Sequence, residues 1–134
     1  MLNLIYAVIQ LIHNLGAATI IAAPALGWHG KLNEPATARR YAAITALGWT
    51  TQIVSGAGFG IVSHYIKGQL PEIGGVALIA LFIKVACALG GLITATVILR
   101  TAAQGDNANP DLWAAMLVLG VTALSAAAFL RWYL

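Results

Sequence analysis

A histidine and a lysine stand inside long stretches that otherwise carry no charge. His13 lies in a run from about Leu2 to Gly27 without Asp, Glu, Lys or Arg, and Lys84 is the single charge between about Ile73 and Leu99. An imidazole offers a lone pair to a metal or exchanges a proton near neutral pH. An ammonium offers charge and three donors to an acidic group. Gln52, Ser55, Thr122 and Ser125 are the polar side chains of the neighbouring apolar runs that can join them, and Asn14 follows His13 directly. No carboxylate falls in these runs, which argues against a proton or cation relay built on Asp or Glu. Zinc or copper asks for three or four His, Cys or carboxylate ligands. His13 alone qualifies, with the lone cysteine, Cys87, one turn beyond Lys84. Haem asks less: one axial imidazole suffices, and Lys84 or Arg100 could meet a propionate.

The elements that must hold these groups follow from composition. The chain has 134 residues, of which 60% are hydrophobic and 8% charged. A soluble globular domain carries about 25% charged residues, so a water-covered monomer is excluded. Disorder is excluded by the same apolarity, and a disulfide scaffold by the single cysteine. A net charge of +3 scattered among loops is not a nucleic-acid footprint. Four runs, at about 2–27, 41–63, 73–99 and 112–130, are each near the roughly 20 residues that cross a bilayer. Backbone groups in lipid must bond within the segment, so each run reads as a helix. The expected fold is one all-α integral membrane domain: four transmembrane helices in an up-down antiparallel bundle joined by short loops.

Loop one, about Trp28 to Arg40, and loop three, about Arg100 to Asp111, carry Lys31, Arg39, Arg40 and Arg100. The opposite side carries Lys67 and Arg131. The excess of basic residues puts loops one and three in the cytoplasm and both termini outside. Asp111 reads as the cap of the fourth helix and Pro24 as a bend in the first. Loop two, about His64 to Glu72, includes Pro71. Tyr6, Trp28, Tyr41, Tyr65, Trp113, Trp132 and Tyr133 read as an interfacial aromatic belt, and Trp49 as a core residue. Gly56 and Gly60 have small-xxx-small spacing and read as a helix contact. Ala25-Leu26-Gly27-Trp28 recurs as Ala46-Leu47-Gly48-Trp49, which a composition so rich in Ala, Leu and Gly explains without a repeat.

Rise along a helix places the polar groups. His13 and Lys84 each lie about ten residues from the same side, roughly 15 Å deep. At that depth the second helix offers Gln52 or Ser55, and the fourth Thr122 or Ser125. His29 and His64 lie over a dozen ångströms from that level, which makes either a poor second ligand. Intramembrane ionisable residues are a functional site by default, although the same layer could serve only to fix helix register.

The pieces His13-Asn14-Leu15-Gly16-Ala17-Ala18, Ile53-Val54-Ser55-Gly56-Ala57-Gly58 and Leu81-Phe82-Ile83-Lys84-Val85 give the chain a resemblance. It resembles the small four-helix membrane proteins of the copper-resistance protein D type and the HemJ-type protoporphyrinogen oxidases. The likeness covers most of the chain in spacing and few residues in identity. Phe82 stands where the HemJ type often has a histidine, and no tryptophan lies between Ala17 and Pro24. The resemblance implies haem b, with His13 as metal ligand and Lys84 as a catalytic or propionate-contacting cation. Gln52 and Ser55 line the same cofactor-binding layer by depth. The expectation is a haem-b-binding redox protein of a bacterial inner membrane, with the lipid bilayer as its partner. The alternative is a non-catalytic accessory subunit of a larger membrane (respiratory or redox) complex, and other membrane subunits or a homo-oligomer are the further expected partners. A copper carrier is the third reading, weakened by the absence of a ligand cluster.

Overall fold

The computed structural model describes every residue except Lys31, residues 69–71 and Leu134, and the side chains of Leu2 and Lys67. The described residues form four helices and no strand: α1 Leu2–Trp28, α2 Pro35–Lys67, α3 Gly75–Ala103 and α4 Pro110–Tyr133. Three of them, α1, α3 and α4, are long and apolar enough to span a membrane, consistent with an integral membrane protein. The second does not reach that apolarity. Thr45, Thr50, Thr51, Gln52, Ser55 and its glycines dilute it, and Arg39 and Arg40 sit in its first turns. Its hydroxyls nevertheless bond to the preceding turn: Thr45 donates to the Tyr41 carbonyl, Thr50 to Ala46 and Thr51 to Leu47.

Helix ends depart from the apolar limits for local reasons. The second helix begins at Pro35, six residues before its apolar run, because Pro35 fits the first helical position behind an extended Glu34. It ends on Gly68 at φ 67°, a left-handed conformation that closes the helix by an N–H bond to the His64 carbonyl. The cap of α4 is Asn109 rather than Asp111: Asn109 Oδ1 accepts the Asp111 N–H at 2.9 Å. With Pro110 at the first position, this is the ordinary order of an N-terminus. Pro24 lies within α1 and is buried. The expected turn at Pro71 and the cations Lys31 and Lys67 lie outside the described residues or side chains.

Each helix packs on two others, α1 on α2 and α4, and α3 on α2 and α4. Two clusters fill the shared core. One, next to loops one and three, gathers Leu32, Ala38, Ala42, Ile98, Trp113 and Met116; the other, nearer mid-helix, gathers Ile20, Trp49, Cys87, Ala88 and Ala123. The two loops are tied where the Ala108 N–H donates to the Asn33 carbonyl at 3.1 Å. Trp113 is therefore no belt residue. It is fully buried, and its ring lies so close over Gly27 that an added Cβ there would come within 2.2 Å of it. Trp49, buried as expected, lies over Gly91 in the same way. Trp28, Tyr65, Trp132 and Tyr133 are exposed. The recurring Ala-Leu-Gly-Trp segments pack differently, since Trp28 is exposed and Trp49 is not.

Small residues make the close contacts, but not the ones the spacing suggests. A Cβ on Gly56 or Gly60 would meet nothing within 4 Å. Close approach falls instead on Gly16 and Gly48 between α1 and α2, on Gly27 and Gly120 between α1 and α4, and on Gly91 between α2 and α3. The partners descend along α2 as numbers rise along α1: Tyr6 meets Phe59, His13 meets Ser55, and Ile20 meets Gly48.

Candidate functional site

The expected polar layer assembles from three helices. His13 comes from α1, Gln52 and Ser55 from α2, and Lys84 from α3. Gln52 and Ser55 are buried at 6% exposure each, while His13 and Lys84 are half-buried. Since α1 and α3 do not pack directly, His13 and Lys84 meet across the diagonal of the bundle.

Counting hydrogens assigns the imidazole. Ser55 has one hydroxyl hydrogen, and the Thr51 carbonyl takes it one turn back. Ser55 Oγ lies 2.7 Å from His13 Nδ1, so it accepts there and Nδ1 carries the hydrogen. The lone pair is left on Nε2, which faces α3. Lys84 Nζ lies 3.4 Å from Nε2 and donates to it. The ring also makes a T-shaped contact with Phe59, with centroids 5.6 Å apart and planes at 70°. Phe59 in turn rests on Tyr6 at 5.1 Å.

Gln52 ties the backbone rather than the ring. Its Nε2 donates to the His13 carbonyl at 2.6 Å. That reach depends on Gly16: a Cβ there would lie 2.9 Å from the Gln52 amide nitrogen. Gly16, Phe59 and Thr51 are the members of the site that chemistry-bearing residue types do not reveal. Two signals were available: Gly16 falls three residues after His13, and Phe59 four after Ser55, each on the same helical face.

The remaining candidates lie elsewhere. Thr122 and Ser125 are exposed and bond back to Val118 and Val121, so α4 adds nothing to the layer. The reason is helix phase, which depth alone does not specify: the buried residues of α4 here are Ala123 and Ala126. Asn14 points away and accepts from Gln10 on the exposed face. His29 stacks near Trp28 and His64 near Tyr65, both exposed and outside the site. Arg100 is exposed in the last turn of α3. Cys87 is buried without a thiol partner. Among the described residues no three His, Cys, Asp or Glu side chains gather as a metal cluster.

The donor set suits a group that takes one nitrogen and one counter-charge. Nε2 turns its lone pair toward α3, where Lys84 occupies it, and the four-carbon stem of Lys84 could swing off it to admit another group. A groove of about 350 Å³ on the other side of the layer is lined by Ile9, Ile12, Thr51, Val54, Ser55 and Gly58. It reaches the hydroxyl that fixes His13, not the lone pair. The chain matches no family model, no curated protein and no solved structure.

Proposed function

We infer that the chain is a multi-pass integral membrane protein of a bacterial inner membrane, with haem b held at the His13–Lys84 layer for redox chemistry. Its four helices form an up-down antiparallel bundle with loops one and three cytoplasmic and both termini outside. The descending contacts between α1 and α2 support that order, and so does Arg39, Arg40 and Arg100 all lying at the loop-one and loop-three end. The second helix crosses with the others, because its Thr and Ser hydroxyls are bonded within the chain.

One observation carries the haem reading: the Ser55 bond to His13 Nδ1. A metal-ligating histidine almost always has its other nitrogen held by a hydrogen bond, which fixes tautomer and ring direction. Here Ser55 does this and leaves Nε2 directed inward. Iron in haem b changes oxidation state by one electron and so passes single electrons. His13 would ligate the iron, Lys84 would pair with a propionate, and Gln52 would keep α1 and α2 in register beneath them. The two indole N–H groups without partners among the described residues, on Trp49 and Trp113, belong to the rings packed over Gly91 and Gly27.

Absorption spectra of the purified protein, oxidised and reduced, test this. A Soret band and a reduced α band are expected, both abolished or reshaped in His13→Ala and shifted in Ser55→Ala. A colourless, folded protein that takes up no added haemin overturns the reading. Co-migration with other subunits on a native gel, with no haem, would assign an accessory subunit instead.

A further inference from the structure

The bundle contains the same seat twice, and one copy is open. Gly27 of α1 lies under Trp113 of α4, and Gly91 of α3 lies under Trp49 of α2. Gly91 follows Gly27 by the same interval as Trp113 follows Trp49. Two turns further along the Trp helix each seam has a second glycine, Gly120 in α4 and Gly56 in α2, again at that interval. In the α1–α4 seam the second seat is closed: a Cβ on Gly120 would lie 3.0 Å from the Ile20 carbonyl and 2.9 Å from the Ile21 side chain. The same interval carries Ile20 onto Lys84. Yet at Gly56 a Cβ would meet nothing within 4 Å. The α2–α3 seam thus parts where its counterpart closes, at the one place where an ammonium replaces an isoleucine.

The chemistry of that opening is specific. Lys84 bonds to the His13 imidazole alone among the described residues, and the apolar runs hold no carboxylate. A cation near mid-membrane without a carboxylate lacks the partner such a group ordinarily has. The opening lies about nine residues inside α3 from Gly75, some 14 Å along the helix. That depth is below lipid headgroups, and a singly charged carboxylate is cheaper to bring there than a phosphate.

We propose that the parted seam between Gly56 and Lys84 is a binding seat for a lipophilic carboxylate that enters sideways between α2 and α3, its acid on the Lys84 ammonium and its apolar body beside Gly56. The seat rests on the membrane reading above but not on iron. A haem propionate is one acid of this class, and a free fatty acid is another.

Calorimetric titration of the detergent-solubilised full chain with decanoate, decanol and decyl phosphate tests it. Decanoate should bind saturably and more tightly than the other two. Gly56→Leu, whose Cβ would stand in open space, and Lys84→Ile, which restores the residue of the closed seam, should each weaken decanoate binding about tenfold or more. Their thermal unfolding should stay at or above that of the parent. Equal decanoate binding in the parent and both variants, no saturable binding at all, or preference for decyl phosphate overturns the proposal. Haemin separates the two readings. Saturable decanoate binding without a Soret band keeps the seat and removes the haem. Full haem uptake by Gly56→Leu together with undiminished decanoate binding keeps the haem and overturns the seat.

Discussion

The end of the bundle that carries loops one and three is filled, while the end that carries the termini is not. In the filled half every helix buries large side chains, with Ile20, Trp49, Ile98, Trp113 and Met116 almost wholly enclosed. In the open half no described residue of α1 before Gly16 is buried, nor any of α2 after Ser55, and α3 and α4 bury only alanines. His13, Gln52, Ser55 and Lys84 lie at the boundary. Glycine shows what separates the halves. Gly27 and Gly91 let an indole lie on the backbone, whereas a Cβ on Gly56 or Gly60 would touch nothing. One residue type therefore closes one end and leaves space at the other, and the polar layer is the floor of that space.

Mutations that treat the two halves alike should give opposite results. Trp113→Ala should cost about 3 kcal/mol or more, since a fully enclosed ring leaves a cavity; Trp132→Ala, at an exposed position, should stay within about 0.5 kcal/mol. Denaturant unfolding in mixed micelles reads both, and equal losses would erase the distinction between filled and open ends. Lys84→Leu should favour membrane insertion of α3 by about 2.5–3.5 kcal/mol, the usual penalty of a lysine at mid-span. A translocon insertion assay of that helix measures it. Unchanged insertion would mean that Lys84 is not held at mid-depth.

Smaller effects sharpen the boundary. Gly91→Ala should destabilise by about 1–3 kcal/mol through overpacking on Trp49. Gly56→Ala should instead stabilise by about 0.5–1 kcal/mol, because alanine restricts the unfolded chain more than glycine does. A common sign for the two would show that α2 and α3 stay in contact at Lys84. Ser55→Ala should cost only about 0.6 kcal/mol, the average for a hydrogen bond between membrane helices. It should also free the imidazole to change tautomer, which nitrogen-15 chemical shifts of His13 would report.

Much of this was legible in the residues. Apolar run length gave four helices, their order and approximate limits, because a backbone in lipid has no other way to satisfy its polar groups. Depth along a helix brought His13, Gln52, Ser55 and Lys84 to one level. Depth says nothing of rotation about the helix axis, however. That is why Thr122 and Ser125 share the level and face outward, and why Asn14 sits beside His13 without joining it. Hydropathy likewise misplaced the start of α2, since charge marks the edge of an apolar run and not the end of a helix.

Composition alone pointed to apolar helices of membrane-spanning length, because so few charges cannot cover a surface in water. It also determined that an imidazole and an ammonium would lie at matching depth, since rise per residue is fixed by the helix. Which glycines are pressed against indoles, which nitrogen of His13 keeps its lone pair, and where α2 and α3 part were decided only in three dimensions. Those depend on how four helices rotate against one another, and that rotation is set by the sum of side-chain contacts around the whole ring rather than by any one segment.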